Sequence, residues 1–116
     1  MSQGNLPSAE LVEARELKVI LRAVGDTVRL QILHHLAQQD EMNVSELVVA
    51  LRTSQPLLSW HLGVLRRLGL VSVRREGRLV WYSLDRASLD SFWARLDAWL
   101  SADSEQCSVS EDKEHA

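Results

Sequence analysis

Thr53-Ser54-Gln55-Pro56-Leu57-Leu58-Ser59-Trp60-His61-Leu62-Gly63-Val64-Leu65-Arg66-Arg67-Leu68-Gly69-Leu70-Val71 is the stretch on which the fold turns. Leu58, Leu62, Leu65 and Leu68 recur at spacings of four and three, the mark of a helix with one apolar stripe. Ser54 supplies an N-cap, and Pro56 is tolerated in the first turn because the amide it lacks has no partner there. Gly69 stops the helix, since glycine enters the left-handed region at little cost. Gln55, Ser59, Trp60, Arg66 and Arg67 project from the other faces. A half-buried helix whose outer face opens with short hydrogen-bonding side chains and ends in two arginines suits a DNA major groove.

Upstream, Asn43 followed three residues later by Glu46 reads as a capping-box variant that opens a short helix through Val44, Leu47, Val48 and Leu51. A turn at Arg52-Thr53 leads into the longer helix. Short helix, tight turn and longer helix make a helix-turn-helix, in which the first helix braces the second. Before it, Asp26 caps a helix carrying Val28, Leu30, Ile32, Leu33 and Leu36, and Gly25 separates this from a helix capped by Ser8 and running to about Val24. Residues 1–7 read as a disordered N-terminus.

Downstream the period changes. Val71-Ser72-Val73-Arg74-Arg75 alternates, Glu76-Gly77 offers a turn, and Leu79-Val80-Trp81-Tyr82-Ser83-Leu84 is rich in strand formers, so a hairpin follows. Arg74, Arg75 and Arg78 cluster near its tip, where a wing would grip phosphates or the minor groove. A last helix starts at Asp85 or Ser88. Its Leu89, Phe92, Trp93, Leu96, Trp99 and Leu100 form a long apolar stripe for so small a domain. From Ser101 the chain turns polar and acidic without periodicity, which reads as a disordered tail over 101–116. The fold class expected is mainly α with a small β-hairpin, a winged helix-turn-helix in the order α-α-α-α-β-β-α, with one domain over residues 8–100.

The 116 residues carry a net charge of −3, which taken alone argues against nucleic acid. Divided along the chain the charge reads differently: −3 over residues 1–50, +5 over 51–86 and −5 over 87–116. The positive charge sits on the segment that would need it to meet phosphates. A single cysteine, Cys107, allows no internal disulfide, and no leader or long apolar run is present; both fit a cytoplasmic protein with no membrane contact. No nucleophile-base pair, phosphate-cradling glycine loop or spaced carboxylate pair is present, so an enzyme is disfavoured and no cofactor is implied. A winged-helix module that binds protein stays open, as the overall negative charge would permit.

Leu21-Arg22-Ala23-Val24-Gly25-Asp26-Thr27-Val28-Arg29-Leu30-Gln31-Ile32-Leu33, Ser59-Trp60-His61-Leu62-Gly63-Val64-Leu65, Gly69-Leu70-Val71 and Arg75-Glu76-Gly77-Arg78 with Tyr82-Ser83-Leu84 together resemble the ArsR (ArsR/SmtB-type) family of bacterial winged helix-turn-helix repressors. The resemblance covers roughly residues 17 to 100. It implies a homodimer built from the first and last helices that binds a twofold-symmetric double-stranded operator and releases it when an effector arrives. By position it implies recognition-helix roles for Ser54, Gln55, Ser59 and His61 and wing roles for Arg75 and Arg78. Trp60, Arg66 and Arg74 join this DNA-binding set from their place on the outer faces. The expected dimer surface combines the stripe Leu89, Phe92, Trp93, Leu96, Trp99 and Leu100 with Leu11 and Leu17 of the first helix.

Many members of that family sense metals through a Cys-Val-Cys pair opening the bracing helix, and Asn43-Val44-Ser45 stands there instead. Others use histidines on the last helix, but none occurs between His61 and His115. Asn and Ser oxygens are poor ligands for soft metals, so no metal site is expected and a small-molecule effector is left unidentified. His61 and Ser59 have a plainer reading as local hydrogen-bonding groups. Trp60 either stacks on the sugar-phosphate backbone or shields core. Cys107 and His115 on a polar tail read as no site at all.

Overall fold

A computed structural model describes the backbone of residues 8–114 and the side chains of residues 8–101. The elements are α1 (Ala9–Val24), α2 (Thr27–Gln38), β1 (Met42–Asn43), α3 (Val44–Leu51), α4 (Gln55–Arg67), β2 (Val71–Glu76), β3 (Leu79–Leu84) and α5 (Arg86–Glu114). The chain divides into two compact units, one ending at Arg86 and one beginning at Ala87. The boundary falls inside the stretch expected as one domain. A helix makes most of its contacts within a turn of itself, and nearly all of α5 falls in the second unit.

Each helix of the first unit begins on a side chain that satisfies an otherwise orphaned amide. Ser8 Oγ accepts from Leu11 N at 3.1 Å, Asp26 Oδ2 from Arg29 N at 3.1 Å, and Ser54 Oγ from Leu57 N at 3.3 Å. At α3 both halves of the capping box are made: Glu46 N donates to Asn43 Oδ1 at 2.9 Å and Asn43 N to Glu46 Oε1 at 3.1 Å. The end of α4 is a Schellman motif, with Gly69 at φ +78°. Leu70 N donates to Leu65 O and Gly69 N to Arg66 O, both at 3.0 Å. Leu65 and Leu70 are both buried, closing the apolar contact that accompanies this stop.

The sheet is antiparallel in the order β1-β3-β2. The third strand was not expected: β1 is two residues long, too short to carry a period, and exists because Met42 pairs with Tyr82 and Asn43 with Trp81. The hairpin turn lies one residue later than its expected place at Glu76-Gly77. Glu76 pairs with Leu79, leaving Gly77 and Arg78 as a two-residue loop, with Gly77 at φ +63°. Glycine first in such a loop is the pattern of a type II′ turn, whose twist matches its flanking strands.

Buried Leu58, Leu62 and Leu65 of α4 form the core with Ile32, Leu33 and Leu36 of α2 and Leu47 of α3, and the base of the wing adds Val71. Each such side chain contributes roughly 1.5–3 kcal/mol by leaving water. The core thus fixes α4 along its whole inner face and leaves its outer face to solvent.

The last helix also departs from expectation. It continues through Glu114, across the stretch expected to be a disordered tail from Ser101. No glycine or proline follows Arg86, and Ala, Glu and Gln are good helix formers, so nothing in the local sequence stops it. The side chains of Cys107 and His115, and the N-terminal residues 1–7, lie outside the described residues. Among the described residues no helix is long and apolar enough to cross a membrane.

Candidate nucleic-acid interface

Ser54, Gln55 and Ser59 are exposed on the first two turns of α4. Ser54 spends its hydroxyl on the Leu57 amide, which leaves Gln55 and Ser59 as the free hydrogen-bonding side chains at this end. Gln55 lines a recess of about 210 Å³ with Arg78 of the wing loop and with Asn43 and Ser45 at the start of α3. The recess therefore gathers an amide, a guanidinium and the positive end of a helix from three separate elements. Arg66, exposed in the last turn of α4, stands apart from it.

His61 does not belong to this surface. It is 5 % exposed because it falls three residues after Leu58 and four before Leu65, on the core face of the helix. Its Nδ1 lies 3.0 Å from Arg29 Nη1. Arginine only donates, so in this contact Nδ1 is the acceptor. Asp26 Oδ2, at 3.8 Å from the same nitrogen, is too far for a hydrogen bond. Arg29 Nε also donates to Ala23 O at 2.8 Å, and its guanidinium lies 5.6 Å from the centre of the Trp60 ring. Trp60 meets His61 edge to face at 4.9 Å and is 58 % exposed. Its ring faces a second cleft, on the α1 side of α4, and is not in the recess that holds Gln55.

The wing arginines divide. Arg74 and Arg75 are successive strand residues and so point to opposite faces of the sheet. Arg74 makes a two-pronged contact with Glu41, Nε to Oε2 at 2.8 Å and Nη2 to Oε1 at 2.7 Å, and its Nη1 reaches Glu76 Oε1 at 3.0 Å. It also lies 5.8 Å from the centre of the Trp81 ring, directly across the ladder. Two carboxylates offset the charge of this one guanidinium, so Arg74 is less available to a phosphate than Arg75 or Arg78. Among the described residues no ion pair holds Arg75 or Arg78, and both are exposed.

Of the residues expected at a dimer surface, Leu11, Trp93 and Leu100 are 42 %, 47 % and 59 % exposed. Leu89, Leu96 and Trp99 are half-buried. Leu17 and Phe92 are buried already in the single chain, so they have little surface to offer a second copy. Arg29 and Glu41 were not anticipated, and Asp26 only as the cap of α2. Arg29 and Arg74 meet His61 and Glu41 across 32 and 33 residues, a distance at which no local pattern signals a pair.

Residues 26–73, from the cap of α2 to the middle of β2, match the model of the arsR family of bacterial regulatory proteins. The transcriptional activator HlyU of Vibrio cholerae is 44% identical over 80 residues, which are 69% of this chain and 72% of HlyU. The arsenical resistance operon repressor of Staphylococcus aureus is 36% identical over 83 residues, 72% of this chain and 79% of the repressor. Among solved structures, the homodimeric winged helix-turn-helix DNA-binding domain of a possible ArsR-family regulator from Mycobacterium bovis superposes with a TM-score of 0.64 at 26% identity, covering 85% of this chain and 89% of that one. Relatives of this kind regulate transcription and are not enzymes. With its capped α3-turn-α4 pair and its short wing, the chain belongs to the arsR family and is a DNA-binding transcriptional regulator of winged helix-turn-helix form.

Proposed function

We propose that this chain is a repressor that binds a twofold-symmetric operator as a homodimer, with α4 in the major groove and the wing on the flanking backbone. One observation carries the reading: Gln55 on α4 and Arg78 on the wing line the same recess, beside the N-terminus of α3. A side chain able to read adenine, a free cation and a helix N-terminus together suit a base edge next to a phosphate. Gln55 and Ser59 then read bases, while Arg75 and Arg78 hold phosphates. The concentration of positive charge on residues 51–86 supports the same division.

Dimerisation is supported by the exposed Trp93 and Leu100 on α5 and Leu11 on α1, and by the homodimeric state of the M. bovis relative. A chain of this kind acts in the cytoplasm, where DNA is accessible. Asn43 has its side chain and its amide committed to the capping box, so it is not free to act as a metal ligand at the head of α3. Among the described residues no three His, Cys, Asp or Glu side chains gather as a metal would require.

A mobility shift on the DNA upstream of this chain's own gene, combined with sedimentation, tests the proposal. The expected result is a dimer at micromolar concentration and one shifted species whose affinity falls steeply with salt. A monomer that binds no duplex would overturn it. Trp93→Asp is expected to give monomer and to lose the shift.

A further inference from the structure

The cleft on the α1 side of α4 has a volume of about 720 Å³, and none of the proposed DNA contacts draws on it. That volume lies within the range of small-molecule sites. Its walls come from the last turns of α1, the start of α2 and the outer side of α4. Val19, Ala23, Val64, Leu68 and the Trp60 indole make the lining apolar. Lys18, Arg22, Arg29 and Arg67 line it too, against one carboxylate, Asp26. That carboxylate already accepts from the Arg29 amide. Among the described residues Lys18, Arg22 and Arg67 have no ion-pair partner.

Two features make this more than a charged surface. Trp60 is held in place by the edge contact with His61 and the cation of Arg29, yet is 58 % exposed, and Val19 across the cleft is 51 % exposed. Apolar surface of that extent on an ordered indole can serve as a stacking platform. Arg29 spends Nε on Ala23 O and one Nη1 hydrogen on His61, which leaves Nη2 to donate to an incoming anion.

The geometry points to a site for a small aromatic carboxylate, its ring on Trp60 and its charge among Lys18, Arg22 and Arg29. The phosphate backbone of DNA fits less well, since a fully hydrated phosphate has no use for the apolar lining. Trp60 follows Ser59 on one continuous helix, so an occupant of the cleft bears on the proposed recognition surface from behind. This last step rests on the proposed function; the site itself does not.

Isothermal titration of the full chain with 2-naphthoate tests the site, with 2-naphthalenemethanol as the uncharged control. One saturable site per chain is expected, with the alcohol at least about tenfold weaker, the loss of one charge-assisted contact. Lys18→Ala/Arg22→Ala is expected to weaken naphthoate by about tenfold or more while leaving the circular dichroism unchanged, because both side chains are exposed. Trp60→Ala, which removes the platform, should weaken acid and alcohol alike. No saturable binding, or binding that ignores charge and all three side chains, would overturn the proposal. So would variants that bind naphthoate normally and lose duplex affinity with a reduced salt slope, which would mark the cleft as a phosphate track. Duplex binding without naphthoate is measured in parallel. Its failure would sink the proposed function and leave the calorimetric result standing.

Discussion

Arg29 Nη1 and His61 Nδ1 are 3.0 Å apart, and this contact ties the first turn of α2 to the middle of the recognition helix. His61→Ala leaves a cavity and a part-buried guanidinium without its acceptor. A loss of about 1–3 kcal/mol in stability is expected. The midpoint of urea unfolding measures it, and the salt slope of DNA binding by the folded variant should stay that of the parent. Combined with Arg29→Ala, the cycle should return a coupling of about 0.5–3 kcal/mol. A stable His61→Ala protein with altered base preference would restore His61 to the DNA contacts.

Asp26 gives the fold an acid-sensitive joint. Its carboxyl is held below the usual range chiefly by the backbone N–H of Arg29; burial opposes this, and the Arg29 guanidinium, a smaller effect than burial, adds to the lowering. A folded-state pKa below the unfolded one of about 3.9 means the contribution is complete above that pH and is lost as pH falls through the folded value. Asp26→Asn keeps the cap but removes the titration. Urea midpoints taken from pH 6 downward should fall less steeply below about pH 4 for this variant than for the parent. Parallel curves would contradict the assignment.

Arg74 and Arg75, neighbours in β2, should separate in their effects on DNA. Arg75→Ala is expected to reduce the log-log salt slope by about one, as the loss of one phosphate contact. Arg74→Ala should leave the slope unchanged, because Glu41 and Glu76 already neutralise that guanidinium. Fluorescence anisotropy against salt distinguishes them, and equal slopes for the two variants would show that Arg74 leaves its carboxylates to meet DNA.

Arg52 ends α3 in the left-handed region, at φ 56° and ψ 48°. A side chain there costs about 1–2 kcal/mol, while glycine adds unfolded-state freedom worth about 0.4–1. Arg52→Gly is expected to raise stability by up to about 1 kcal/mol, read as a higher urea midpoint at unchanged slope. A lower midpoint would mean that the arginine makes contacts outweighing its strain.

Legibility in the sequence followed range. Ser8, Asp26, Asn43 with Glu46, and Ser54 act three residues away, so the start of every helix in the first unit could be read directly, and Gly69 marked the end of α4 for the same reason. The hairpin turn slipped by one because its place depends on the pairing of Glu76 with Leu79 and not on the turn residues alone. β1 escaped notice because two residues show no alternation. In the site, Gln55, Ser59, Arg75 and Arg78 were readable as free polar groups on a patterned scaffold. For His61 the plainer of its two readings, a local hydrogen-bonding group, fits its inward place between Leu58 and Leu65, and the opposite faces of Arg74 and Arg75 followed from strand period alone. Glu41 and Arg29 could not be foreseen, since tertiary packing brings them to Arg74 and His61.

A duplex enriched from a random pool by this chain, titrated by anisotropy across a range of salt, separates base reading by α4 from phosphate contact by the wing. Gln55→Ala should keep the parent's salt slope and narrow the gap in affinity between the enriched duplex and a scrambled one. Arg78→Ala should weaken both duplexes alike and lower the slope by about one. Failure to enrich any duplex, or two variants indistinguishable from the parent, would contradict the account.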